Sequence, residues 1–186
     1  MRKPLLLAAL LLGSTGCDAQ PAQPVQAPAA KLYSPGYPAF TGRVVDLAEI
    51  LTSAEEERLA AKLEAVQREV GPQFAIVTVQ SLNGRPIEEY SIDLARHWAL
   101  GDSKRNDGLM LLVAPNEREL RIEVGKGLES RVTDPYAARV IREQAIPELK
   151  AAAYGKAIEA ASDALIARLR SRASDAEIAK EDGVIS

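Results

Sequence analysis

The chain is poor in the side chains on which much enzyme chemistry rests. Its 186 residues include one cysteine, Cys17, and one histidine, His97. One cysteine excludes an intrachain disulfide framework, and zinc sites built from Cys and His lack their ligands. A Ser-His-Asp triad would have to use His97, and a thiol nucleophile would have to be Cys17. Charge of one sign is also missing: 23 basic residues face 26 acidic ones, for a formal net charge of −3, so the cationic footprint of a nucleic-acid binder is absent. No Gly-Lys-Ser/Thr phosphate loop occurs. Gly125-x-Gly127 lacks the further glycine of a dinucleotide-binding turn, which excludes a nucleotide cofactor of that kind. What remains is 47% hydrophobic residues, enough for a real core, in a length that suits one domain with tails.

The first residues have the layout of an export signal. Arg2 and Lys3 precede an unbroken Leu/Ala run at residues 5–12, followed by Gly13, Ser14, Thr15, Gly16 and Cys17. That run is far short of the roughly 20 residues a spanning helix needs. Thr15, Gly16 and Cys17 resemble a bacterial lipoprotein cleavage box, with Ser14 departing from the aliphatic residue usual there. The expectation is removal of residues 1–16, lipidation of Cys17, and a lipid-anchored, Pro/Ala/Gln-rich linker over 17–39. The plainer alternative is an ordinary cleavage site with an incidental cysteine. Either way the protein is expected outside the cytoplasm.

Hydrophobic periodicity places one domain over residues 40–170 and a polar, fraying tail over 171–186. Residues 42–46 read as a short strand. Thr52 and Glu55 form a capping box ahead of Leu59, Leu63, Val66 and Val70 at helical spacing, stopped by Gly71-Pro72. A continuous apolar strand is expected over 73–80, and a second helix over 86–100 with Tyr90, Leu94 and Trp98 on one face. Residues 101–107 are a polar loop. Strands at 108–114 and 119–124 are joined by a turn short enough to require a hairpin. A helix then starts at Thr133 and Asp134 with Pro135 in its first turn, Pro147 interrupts it, and an Ala-rich helix runs to about residue 170. This order predicts an α/β fold: a single three-layer α/β/α sandwich with a mixed sheet flanked by helices.

The hairpin carries the chemical expectation. It brings Asp107 beside Glu123 and Gly125 at one sheet edge, with Glu129 and Asp134 just after, and Asp46 joins them if its strand runs in the appropriate sense. Carboxylates converging on glycine-containing loops suit hard cations such as Ca²⁺ or Mg²⁺. Gly125 and Gly127 are expected to offer backbone carbonyls from conformations closed to other residues. Three of these acids also have a plain role: Asp107 as a turn residue, Asp134 as a helix cap that complements the dipole, Glu123 as the partner of Arg121 on the solvent face. His97 reads as a boundary residue; Lys104 and Arg105 flank the acidic edge, where they either hold a phosphate or form a solvated part of the loop, the second being the plainer role.

The segments GRVVDLAEILT, FAIVTV, NDGLMLLVAPNERELRIEVGKGLESRVTD and IREQAIPELK resemble the TPM domain, over residues 41–167. That resemblance implies an α/β/α sandwich exposed outside the cytoplasm and tethered to a membrane. The family includes a chloroplast lumen protein reported as an acid phosphatase, an auxiliary subunit of an animal acetylcholine receptor, and bacterial members that bind Ca²⁺. It implies that Asp46, Asp107, Glu129 and Asp134 form the metal-binding edge, with Gly125 and Gly127 as its binding loop. The function implied is a Ca²⁺-binding accessory module for a membrane-protein complex. The alternative is a metal-dependent acid phosphatase acting on phosphomonoesters, in which an Asp or a metal-activated water would replace the missing Cys and His.

Overall fold

Thr52 fixes where the first helix begins. Its hydroxyl accepts the Glu55 N–H at 3.3 Å and Glu55 Oε2 accepts the Thr52 N–H at 2.8 Å, so two free amides are satisfied at once. The helix that follows, α1 (Ser53–Val70), buries Leu59, Leu63 and Val66 along one stripe and ends at Gly71, where φ is 100°. The computed structural model describes residues 33–34 and 37–184. The signal segment, Cys17 and most of the linker expected over 17–39 lie outside these described residues.

Four strands make the main sheet: β3 (Val44–Asp46), β4 (Gln73–Thr78), β5 (Gly108–Ala114) and β6 (Glu119–Val124), side by side in that order. β3, β4 and β5 are parallel, and β6 runs back against β5 with Leu109 opposite Val124 and Ala114 opposite Glu119. The hairpin expected from the turn at residues 115–117 is therefore present, and the sheet is mixed. Every residue of β5 is buried, because both faces of the strand are covered.

Alternation along β4 and β5 divides the core in two. Phe74, Ile76, Leu109, Leu111 and Val113 pack with α1 and with α5 (Tyr154–Arg170). Ala75, Val77, Met110 and Leu112 pack with Tyr90 and Leu94 of α2 (Ile87–His97). Helices on both faces complete the expected three layers. The chain steps β3→β4→β5 in one direction across parallel strands, yet α1 covers one face and α2 the other. The two crossovers consequently have opposite hands, and one of them departs from the right-handed rule.

Both ends of the expected domain extend further than the sequence patterning indicates. A short antiparallel ladder, β1 (Tyr33–Ser34) with β2 (Tyr37–Pro38), folds residues assigned above to the linker. It packs on α2: Trp98 Nε1 donates to the Pro38 carbonyl at 2.7 Å, and Tyr37 stacks edge-on against Tyr90 with centroids 5.2 Å apart. At the other end, α3 (Asp134–Val140) passes through a wide helical turn at Ile141–Ala145 into α4 (Ile146–Lys150), so the irregularity sits just ahead of Pro147. After α5 the chain does not fray. It forms α6 (Asp175–Glu181), capped by Ser174 and Glu177, with Ile178 fully buried. Among the described residues no helix is long and apolar enough to cross a membrane.

Candidate functional site

The polar loops gather where the parallel strands begin. Residues 106–108 lie between two other backbones there: Gly125 N donates to the Gly108 carbonyl at 2.8 Å, Gly127 N to the Asn106 carbonyl at 3.0 Å, and Gln73 N to the Asp107 carbonyl at 3.0 Å. A Cβ on Gly125 would meet the Asn106 carbonyl oxygen at 2.3 Å, and one on Gly127 the Arg105 carbonyl oxygen at 1.8 Å. Neither glycine needs an unusual backbone angle. Gly125 is extended, at φ −68° and ψ 147°, and Gly127 is not among the positive-φ glycines. The reason for glycine here is close approach of backbones, which corrects the expectation that special conformations expose carbonyls.

Asp107 is buried, and its carboxylate turns back into its own loop. Oδ1 accepts the Asp102 N–H at 2.8 Å, and Oδ2 accepts Arg105 Nε at 2.6 Å. Asp102, not singled out from the sequence, accepts the N–H groups of Lys104 and Arg105, each at 3.0 Å. Those backbone hydrogen bonds hold its carboxyl below the ordinary range. Arg105 lies between the two acids, with Nη1 3.7 Å from Asp102, and the Asp107 hydrogen bond raises its own pKa. The Asp-x-Lys-Arg spacing of an Asx turn is the sequence signal that could have identified Asp102.

The other expected site residues divide. Glu129 is exposed on the segment after the 3-10 turn at Lys126–Leu128, and with Asp102 and Glu123 it lines a concavity of about 550 Å³. Asp134 is exposed at the first position of α3, where it complements the helix dipole, while Thr133 does the capping. Asp46 is not at this edge. Because β3 runs parallel to β4, Asp46 pairs with Thr78 at the opposite end of the sheet from Asp107. There it accepts the Thr78 hydroxyl and, at 2.8 Å, the Leu51 N–H, tying β3 to β4 and to the start of α1. Glu123 does pair with Arg121 at 3.2 Å, but not on a solvent face: both lie under α2, where Ser91 donates to Glu123 at 2.9 Å. Among the described residues no group of three Asp, Glu, His or Cys side chains is close enough to hold a metal ion.

A second concavity, of about 700 Å³, opens on the other side of the same loop. Its charged lining is Arg105, Arg131, Arg170 and Arg172, with Asp107 as the one acid. His97 lies in neither concavity; its ring packs against Tyr37 with centroids 5.7 Å apart.

A four-stranded mixed sheet between helices, with its loops locked together where the parallel strands begin, defines a three-layer α/β/α domain. The chain belongs to the TPM domain family, whose family-wide sequence description matches residues 44–168. It is similar to the solution structure of an N-terminal domain of a P. gingivalis protein, at 32% identity and a TM-score of 0.66, covering 70% of this chain and 84% of that one. It shares its fold with the N-terminal domain of the cg2496 protein of Corynebacterium glutamicum, at 16% identity, coverage of 73% and 85%, and a TM-score of 0.56. The BA42 protein of the psychrophilic bacterium Bizionia argentinensis shares it too, at 15% identity, coverage of 65% and 82%, and a TM-score of 0.58. No curated protein matches the chain.

Proposed function

We propose that the protein is a membrane-anchored, extracytoplasmic accessory module that binds a divalent cation, Ca²⁺ in preference to Mg²⁺, and assists a membrane-protein complex through its loop edge. The observation that supports this reading is the position of Arg105. The loop already holds a positive group between two carboxylates, and that group is an exposed side chain. The Arg105–Asp102 contact, 3.7 Å between exposed groups, is worth roughly 0–1 kcal/mol, and at the buried Asp107 a divalent ion would exchange one positive partner for another. The donors are of the type a hard cation takes, carboxylate oxygens of Asp102 and Asp107 on either side of Arg105 and Glu129 on the same concavity as Asp102, and a bound ion would have to draw them together. Ca²⁺ tolerates irregular oxygen shells completed by water, whereas Mg²⁺ demands near-octahedral geometry. Asp46, at the far end of the sheet, takes no part.

The phosphomonoesterase alternative needs a nucleophile beside an oriented base. His97 stacks on Tyr37, and Ser91, though hydrogen-bonded to Glu123, is fully buried. The binding reading is therefore the one adopted. The test is a Ca²⁺ titration, with Mg²⁺ as control, followed by calorimetry and amide chemical shifts. Shifts confined to residues 102–107 and 125–129 are expected. No heat and no shift at millimolar Ca²⁺, with the domain folded, would remove the cation reading. Hydrolysis of a model phosphate ester that is lost in both Asp107→Asn and Asp134→Asn would establish the enzyme instead. Anchoring is tested separately by metabolic palmitate labelling, which is expected to disappear in Cys17→Ser.

A further inference from the structure

The arginine-lined cleft beside the loop edge shares Arg105 and Asp107 with the cation reading, but its other walls come from segments that reading does not use. Four segments distant in sequence build it. The loop at 101–107 supplies Arg105, the segment after β6 supplies Arg131, the end of α5 and its exit supply Arg170 and Arg172, and the end of α1 supplies Val70. Four guanidinium groups face one carboxylate, in a chain whose formal net charge is −3. That carboxylate, Asp107, has both oxygens engaged within its own loop.

All four cations are arginine, the side chain whose planar fork suits phosphate and carboxylate oxygens. Three hold partners that can be exchanged. Arg105 pairs with Asp107, Arg170 with Glu69 at 2.7 Å, and Arg131 donates to the Ser171 carbonyl at 2.6 Å with Asp175 3.6 Å away. Glu69 and Asp175 are about half exposed, so these pairs are weak and an incoming anion competes well. The Arg172 side chain has no ion pair or hydrogen bond among the described residues.

Charge alone would suit any anion. The apolar part of the wall narrows the choice. Val70, 41% exposed, supplies the open apolar surface beside the arginines; Pro72 and Leu169 also line the cleft but are themselves buried. A free phosphate makes no use of such a surface. A lipid does, because its phosphodiester is joined through glycerol to acyl chains, and basic residues with adjacent apolar side chains match that boundary.

We propose that this cleft receives the phosphodiester headgroup of an anionic membrane lipid, with the arginines on the phosphate and Val70 against the glycerol and first acyl carbons. The contact would give the domain a fixed orientation on the membrane surface, independent of its N-terminal anchor.

The test uses residues 17–186 with Cys17→Ser, which keeps every described residue and removes the acylation site. With EDTA present, so that no cation contributes, the arginine Nε–H signals are followed during titration with dibutyroyl phosphatidylglycerol, dibutyroyl phosphatidylcholine and inorganic phosphate. Saturable shifts of Arg105, Arg131 and Arg170 with the anionic lipid are expected, together with sedimentation on vesicles containing phosphatidylglycerol but not on pure phosphatidylcholine. The exposed pair Arg170→Gln/Arg172→Gln should weaken binding roughly thirtyfold, given the contribution of each basic side chain near an anionic surface. Arg172→Gln alone, at a side chain without partners, should weaken it less and leave the fold intact. Equal affinity for inorganic phosphate without vesicle binding would overturn the lipid assignment. So would no shift at all.

Discussion

Gly127 shows how little room the loop edge leaves. The Cβ of an alanine there would lie 1.8 Å from the Arg105 carbonyl oxygen, which is backbone and cannot rotate away. Gly127→Ala should therefore cost about 1–3 kcal/mol, the usual scale of overpacking, read as a lower urea midpoint at unchanged slope. The same substitution should broaden or shift amides of residues 105–107, since those are the atoms that must move. Arg105 predicts the opposite sign for ligand binding. If the guanidinium occupies the cation's place, Arg105→Gln should tighten Ca²⁺ binding in a calorimetric titration, whereas Asp107→Asn should weaken it. Loss of Ca²⁺ affinity in Arg105→Gln would mean that the arginine holds the loop in shape and does not compete for its acids.

The element that most alters the expected picture is α6. It is seven residues long, too short to persist alone, and it is held by burial of Ile178 and by Asp182 at its end. Asp182 accepts Thr133 at 2.7 Å, Arg139 at 2.9 Å and Arg168 at 3.1 Å, and Arg168 in turn lies 3.8 Å over the Tyr136 ring. Burial alone would raise the Asp182 pKa, but these hydrogen bonds and the arginine charges outweigh it and hold the carboxyl below its ordinary range. A group with its folded pKa depressed adds stability above its unfolded value, near 3.9, and that stability is lost as pH falls through the folded value. Unfolding midpoints should accordingly drop below about pH 4, and Asp182→Asn should flatten that acid limb. Asp182→Ala should cost about 2–3 kcal/mol at neutral pH, because it leaves the buried Arg168 with only Glu181 at 3.4 Å and the Tyr136 ring as partners. At the other end, the β1–β2 ladder covers Trp98, so removing residues 33–40 should red-shift the emission of this single tryptophan.

For the molecule as a whole, the position of the loops follows from strand direction and the opposite crossover hands. Parallel β3, β4 and β5 send their starts, with Asp107, to one end of the sheet and their finishes, with Asp46, to the other. The reversed β6 returns to the first end and adds Gly125 and Gly127 there. A chain ending at residue 170 would retain the sheet, yet lose α6 and with it the Ser171 carbonyl that Arg131 holds. Such a chain should unfold at lower temperature than one ending at residue 186, and the comparison is a single calorimetric scan of each.

Short-range features were legible in the residues alone. The capping box at Thr52 and Glu55, the apolar runs of β4 and β5, the tight turn after Ala114 and Pro135 opening α3 all depend on neighbours within a few positions. They determine which segments become helices and strands and that the sheet must be layered. The resemblance of the quoted strings to TPM domains rests on the same local order, and the family match over residues 44–168 agrees with it. Long-range choices were not legible. Whether β3 runs with or against β4, which face α2 covers, and whether a polar C-terminal segment docks are settled by contacts between residues many tens of positions apart. The Asp182 cluster and the arginine cleft exist only once α3, α5 and the loop at 101–107 are packed together. Local pattern fixes elements because backbone hydrogen bonds and side-chain period act over a few residues; tertiary packing decides the site because its groups meet only in three dimensions.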